Sequence, residues 1–164
     1  MFNILILLIS FFLDGVCSNL ILISNLFYPL FSLLSLVIVY PYFYKKNRKK
    51  YYIYAFFIGV LYDIIYTNTL FLNGFCFLFI SIFINMLYSL ITNNVYSSIL
   101  ISVFIIVCYR LFTYLFLLLI GYIQLDIKYL FESIYSSLIV NIIYFVLFYC
   151  CCCLINKKRK IGKS

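Results

Sequence analysis

The segment that decides the fold is residues 70–91, LFLNGFCFLFISIFINMLYSLI, which contains no charged side chain. A helix needs about 20 mostly apolar residues to cross the hydrocarbon core of a bilayer, and this segment is long enough to do so. Backbone polar groups in hydrocarbon must be satisfied within the protein, and a helix satisfies them within one segment. The segment therefore predicts a transmembrane helix.

The rest of the chain has a similar composition. Of its 164 residues, 68% are hydrophobic and 10% are charged, whereas a soluble domain carries about 25% charged residues. Five further apolar stretches lack the alternating pattern of a membrane β-barrel. They cover residues 2–23, 27–44, 51–66, 98–122 and 133–155. We therefore expect an all-α integral membrane protein, with residues 1–164 forming a single domain of six transmembrane helices.

Two clusters contain most of the basic residues and account for the net charge of +8. The first basic cluster is Lys45, Lys46, Arg48, Lys49 and Lys50, and the second is Lys157, Lys158, Arg159 and Lys160. Basic residues beside apolar segments favour the cytoplasmic side and contact anionic lipid headgroups. Four predicted spans separate the clusters, so we expect both termini in the cytoplasm and a basic cytoplasmic tail at 156–164. We expect no nucleic-acid binding, because no folded basic surface is available for it.

The sequence lacks the usual catalytic groups. It contains no histidine and four carboxylates in all, so the commonest general base and histidine metal sites are missing. Successive helical residues point about 100° apart, so the cysteine run 150–153 cannot supply one tetrahedral metal site. We interpret this run as small apolar side chains, with a thiol modification or an assembly contact as alternatives. We predict no catalytic residue, no cofactor and no metal.

Polar side chains within the apolar stretches mark the candidate site. They lie on four different spans, and counting along each helix places them at a similar depth, about 20 Å from the cytoplasmic boundary. These residues are Asp14, Asp63, Arg110 and Asn141. We expect an intramembrane polar network in which Arg110 pairs with Asp63, Asp14 or both, because a charge in hydrocarbon usually faces a partner or a cavity. Two interpretations remain open: a packing lock that fixes one helix arrangement, and a site for a ligand or a proton.

Two glycines indicate a tight hairpin between the third and fourth spans. Gly59 and Asp63 share a helix face because they lie four residues apart, and a glycine lets a neighbouring helix approach closely. Asn73 and Gly74 begin the next span after a short turn at 67–69. We therefore expect Gly59 and Gly74 to support close packing of the two helices.

This hairpin resembles the rod shape-determining protein MreD family. The matching sequence is FIGVLYDIIYT at 57–67, followed by Gly74 and Phe75. Its pattern is a glycine, three apolar residues, an aspartate, a short turn and a glycine-bearing helix. The acidic residue in the first span, the segment at Pro29 and a last span with Asn141 before a basic tail also fit. The family commonly has glycine where this chain has Phe71.

The resemblance implies a non-catalytic subunit of the bacterial cell-wall elongation complex in the cytoplasmic membrane. Its partners would be a bitopic MreC-like protein, a RodA-type polymerase and a class B penicillin-binding protein, with MreB linked indirectly. The family's fold is similar to that of the substrate-binding subunits of energy-coupling-factor vitamin transporters. That similarity gives an alternative function, the binding of a small molecule in a cavity lined by Asp63, Arg110 and Asn141.

Overall fold

The computed structural model describes residues 2–20, 29–43, 47–67, 69, 71–91 and 94–161. These residues form six α-helices and no strand, as the sequence predicts. The helices are α1 (Phe2–Leu20), α2 (Phe31–Phe43), α3 (Arg48–Tyr62), α4 (Leu72–Leu90), α5 (Val95–Leu119) and α6 (Ile127–Ile161). A π-helical turn, Asp63–Thr67, continues α3.

The largest differences between the helices and the predicted spans are at α6 and α2. Helix α6 runs from Ile127 to Ile161, well beyond the predicted span 133–155. Its extra residues include Lys128, Glu132 and the second basic cluster, and lysine, arginine and glutamate are good helix formers that do not end a helix. Helix α2 begins at Phe31, whereas its predicted span starts at residue 27, which lies outside the described residues.

Three helices in the described part of the chain are long and apolar enough to cross a membrane. They are Leu72–Leu90, Val95–Leu119 and Ile127–Cys153, and two shorter apolar helices cover Asn3–Ser18 and Phe31–Phe43. Large apolar side chains such as Phe57, Leu100 and Leu147 are exposed on the outside of the bundle. Such a surface suits contact with lipid tails. The chain is therefore a membrane protein, and its number of crossings stays a prediction.

Helix α2 lies at the centre of the bundle. It contacts each of the other five helices, and its side chains from Phe31 to Tyr40 are all buried. A helix that is apolar all round suits such a position. With 13 residues it is about 20 Å long, which is shorter than the hydrocarbon core of a bilayer. Its first backbone N–H groups are consequently buried and need partners from elsewhere in the protein.

The C-terminal parts of α2 and α4 meet the N-terminal part of α3 at one end of the bundle, which we call the aromatic end. The ring of Tyr40 stacks on Tyr88 with centroids 4.9 Å apart and meets Tyr51 edge-on at 5.3 Å. The hydroxyl of Tyr88 lies 3.0 Å from that of Ser98, near the start of α5. Helices α5 and α6 are neighbours joined by a short connection, so the C-terminal part of α6 returns to this end.

Candidate functional site

The carboxylate of Asp63 binds the start of α4. It accepts hydrogen bonds from the backbone N–H of Asn73 at 3.1 Å, from Asn73 Nδ2 at 2.9 Å and from the backbone N–H of Gly74 at 3.0 Å. The hydroxyls of Thr67 and Thr69 also donate to it. Asp63 is only 1% exposed, and its negative charge faces the positive end of the α4 dipole. Asp63 therefore caps α4 across the turn of the hairpin.

Asp14 on α1 binds the start of α2 in the same way. Its Oδ1 accepts a hydrogen bond from the backbone N–H of Phe31 at 2.6 Å, and its Oδ2 accepts one from the backbone N–H of Ser32 at 2.8 Å. The Ser32 hydroxyl donates to the same Oδ2. Asp14 is also only 1% exposed. Two buried aspartates thus cap the N-termini of two helices to which they do not themselves belong.

Asn141 on α6 completes the cap of α2. Its Oδ1 accepts a hydrogen bond from the backbone N–H of Leu30 at 2.7 Å, and its Nδ2 donates to the carbonyl of Ser137 at 2.6 Å. Asn141 is fully buried. The N–H groups of three successive residues, 30 to 32, are therefore bound by side chains from α1 and α6. The N-terminus of α2 is fixed between the first and the last helix of the chain.

Arg110 on α5 binds helix α6. Its Nε donates to the Ser137 hydroxyl at 2.7 Å. The pairing of Arg110 with the carboxylate of Asp14 or Asp63 stays a prediction. The carboxylates of Asp14 and Asp63 accept hydrogen bonds from backbone N–H groups. The sequence alone does not show that these N–H groups are buried. Arg110 is linked to Asn141 through Ser137, whose hydroxyl binds Arg110 and whose carbonyl binds Asn141.

Asp14 and Arg110 nevertheless face one cavity of about 560 Å³. The described residues that line it come from α1, α3, α5, the π-helical turn and the segment before α2. They are Asp14, Ser18, Pro29, Leu30, Tyr62, Ile65, Tyr66, Thr67, Tyr109 and Arg110. Asp63 and Asn141 are not among the residues that line this cavity, so a ligand cavity lined by Asp63, Arg110 and Asn141 stays a prediction.

Sequence reasoning did not identify Asn73 and Tyr109 as part of the site. The hydroxyl of Tyr109 donates to Asn73 Oδ1 at 2.6 Å, so the amide of Asn73 joins the Asp63 cap to α5. An Asn-Gly pair at the start of an apolar span is a signal that could have found Asn73. Tyr109 carries no such signal, because tyrosines are abundant throughout this chain.

The two predicted hairpin glycines lie where α3 and α4 approach each other. A Cβ atom added to Gly59 would lie 2.7 Å from Gly74 Cα, and one added to Gly74 would lie 2.9 Å from Val60 Cγ2. The first of these contacts is with backbone, which cannot move aside as a side chain can. The absence of a side chain at Gly59 is therefore what allows the Asp63 carboxylate to reach the first turn of α4.

The described residues of the basic clusters lie away from these polar groups. Arg48, Lys49 and Lys50 form the first turn of α3 at the aromatic end and are exposed. Lys157, Lys158, Arg159 and Lys160 belong to the last turns of α6, and Lys45 and Lys46 lie outside the described residues. Positive charge at a helix N-terminus is unfavourable, so helix stability does not explain the cluster on α3.

Comparison with known proteins identifies the family. The family model described as rod shape-determining protein MreD matches residues 1–158, which is nearly the whole chain of 164 residues. Comparison with curated proteins gave no match, and comparison with solved structures gave none either. The likeness to energy-coupling-factor subunits therefore stays a prediction. The resemblance first seen in the α3–α4 hairpin is confirmed by the family match, and the chain belongs to the MreD family of rod shape-determining proteins.

Proposed function

We propose that this chain is a non-catalytic membrane subunit of the bacterial cell-wall elongation complex and acts as a scaffold in rod-shape determination and peptidoglycan synthesis. The observation that carries this proposal is the family match over residues 1–158. The hydrogen bonds of the buried polar groups support this proposal. Asp14, Asp63 and Asn141 all bind backbone groups of other helices, as a packing lock requires.

The proposed topology is six crossings with both termini and the tail at 156–164 in the cytoplasm of the bacterium. Arg48, Lys49 and Lys50 begin α3 at the aromatic end, and the second basic cluster ends α6, which runs back toward that end from its connection with α5. This supports placing the two clusters on one side of the membrane. The positive-inside rule then makes that side cytoplasmic. The same clusters would contact anionic lipid headgroups there.

The proposed partners bind through transmembrane helices. An MreC-like bitopic protein, a RodA-type polymerase and a class B penicillin-binding protein would be direct partners, and MreB would be linked through them. The exposed faces of α3 and α4 carry large apolar side chains such as Phe57, Phe75 and Phe79. Helices in lipid associate through close packing of such faces and through hydrogen bonds between helices.

Crosslinking in native membranes followed by purification tests this function. The tagged chain is used as bait, and the retained proteins are compared with a full set of wall-synthesis proteins, with the crosslinker omitted as a control. We expect an MreC-like protein in the crosslinked sample and not in the control. A vitamin that co-purifies with the chain, without any wall-synthesis protein, would instead favour the alternative function of a transporter subunit.

A further inference from the structure

The cavity between α1, α3 and α5 has a buried floor and an exposed mouth. Asp14, Leu30 and Tyr109 at its floor are at most 5% exposed. Ser18 and Thr67 at its other side are exposed. Its volume of about 560 Å³ lies within the range of pockets that hold small ligands. A ligand group could therefore enter from the end of the bundle opposite the aromatic end.

The positive charge in the lining of this cavity is that of Arg110. Asp14 contributes one negative charge, and the lining contains no other ionised side chain among the described residues. The carboxylate of Asp14 faces the start of α2, whose dipole offsets part of its negative charge. The oxygen atoms of Asp14 are held by the N–H groups of Phe31 and Ser32, so the carboxylate has little capacity to accept further hydrogen bonds.

The hydroxyl of Tyr62 is a second indication of a ligand. It binds no other residue in the described part of the chain, although the Tyr62 ring is held edge-on against Tyr66 with centroids 4.9 Å apart and packs on Phe77 at 5.8 Å. The neighbouring hydroxyls differ in this respect. Tyr66 donates to the Phe11 carbonyl at 2.9 Å, and Tyr109 donates to Asn73. Tyr62 thus presents a rigidly held hydrogen-bond donor to the cavity.

We propose that this cavity binds an oxyanionic group, a phosphate or a carboxylate, through Arg110 and the hydroxyl of Tyr62. A guanidinium matches the planar or tetrahedral oxygens of these groups and keeps its charge in a buried site. Leu30, Pro29 and Ile65 supply an apolar wall suited to the aliphatic part of an amphipathic ligand. The oxyanion comes either from the headgroup of an anionic lipid or from a soluble compound.

The test uses the full chain purified in detergent. Native mass spectrometry measures the retention of phosphatidylglycerol by the chain. The control lipid is a diacylglycerol that has the same acyl chains but no oxyanion. Calorimetry with inorganic phosphate is the arm for a soluble ligand. If phosphatidylglycerol binds and diacylglycerol does not, the site is assigned to a lipid headgroup. If phosphate binds and phosphatidylglycerol does not, the site is assigned to a soluble compound.

Three variants make the result specific to the cavity. Tyr62→Phe should weaken binding about fivefold, because it removes one hydrogen bond and leaves the ring in place. Arg110→Gln should weaken it about tenfold or more, since a charge-assisted contact is lost. Lys128→Gln, which removes an exposed positive charge from the start of α6, should leave retention unchanged. Melting temperatures show that each variant is folded.

The proposal is overturned by any of three outcomes. The first is that neither phosphatidylglycerol nor phosphate binds. The second is that Tyr62→Phe binds the probe as tightly as the original chain while folded. The third is that Lys128→Gln weakens retention as much as Arg110→Gln does, which would show that positive charge anywhere on the chain, and not the cavity, decides the binding. These outcomes leave the proposed scaffold function untouched, since that function depends on partner proteins.

Discussion

Asp14 and Asp63 each place a buried carboxylate against the first backbone N–H groups of a neighbouring helix. A buried donor that loses its acceptor costs about 1–3 kcal/mol. Each carboxylate satisfies several donors at once, so its removal should cost more than the loss of an ordinary hydrogen bond. At the scale of the residue, these two side chains should therefore dominate the polar contribution to stability.

Asp63→Ala should lower the free energy of unfolding by at least about 3 kcal/mol, because it leaves the N–H groups of Asn73 and Gly74 buried without an acceptor. Asp126→Ala is the matched control. Asp126 caps the start of α6 by accepting hydrogen bonds from the N–H groups of Lys128 and Tyr129, but it is exposed, so its loss should cost about 1 kcal/mol. Thermal unfolding in detergent measures both changes. Equal losses of stability in the two variants would contradict the conclusion that burial makes the Asp63 cap the more stabilising one.

Phe71→Gly should raise the stability of the chain by up to about 1 kcal/mol, because φ at Phe71 is 59° and this left-handed conformation is costly for a residue with a Cβ. Phe71 is 50% exposed, so little packing is lost. Phe75→Gly is the control, since Phe75 is similarly exposed but lies within α4, where glycine should destabilise by about 1 kcal/mol. A drop in melting temperature for Phe71→Gly would contradict the strain at this position.

The sequence identifies Asp14, Asp63, Arg110 and Asn141 because polar residues within apolar stretches are conspicuous. It does not identify their partners. The expected partner of the aspartates is Arg110, since ion pairing is the simplest way to offset a buried charge. The actual partners of the carboxylates are mainly backbone N–H groups, and their burial depends on where α2 and α4 begin inside the bundle. That information is not local in the sequence.

At the scale of the element, the α3–α4 hairpin depends on backbone contact. Gly59→Ala should destabilise the chain by about 1–3 kcal/mol, because the added methyl group would overlap Gly74 and its neighbour Asn73. Gly15→Ala is the control. Its added methyl group would meet only the end of the Tyr66 side chain, which can shift, so it should cost less. A reversed order in the two melting temperatures would contradict the close approach of α3 and α4.

The helices themselves are predicted well from the sequence, whereas their roles are not. Each of the six apolar stretches overlaps one helix of the structure, because long apolar runs in a membrane protein have few alternatives to a helix. The central position of α2 is not evident, since its composition is like that of a lipid-facing helix. The length of α6 is also not evident, because the apolar stretch begins only at residue 133, whereas the helix begins at Ile127 and includes Lys128 and Glu132.

At the scale of the whole molecule, the orientation can be tested with reporters. A phosphatase that is active only outside the cytoplasm should be inactive when fused after Ser164 and active when inserted at Gln124, in the connection between α5 and α6. The physical reason is the retention of the basic clusters on the cytoplasmic side. A fluorescent protein that matures in the cytoplasm should show the reverse pattern. Phosphatase activity after Ser164 would contradict the proposed topology.

The enclosure of α2 has a consequence for biogenesis. The chain leaves the ribosome from its N-terminus, so α2 is made long before α6, yet the N–H group of Leu30 is bound by Asn141 of α6. A nascent chain that has not reached Asn141 therefore holds an incompletely capped helix. Maturation of the central helix therefore has to wait until α6 has been made, and a chain truncated before residue 141 would leave the N–H group of Leu30 without this acceptor.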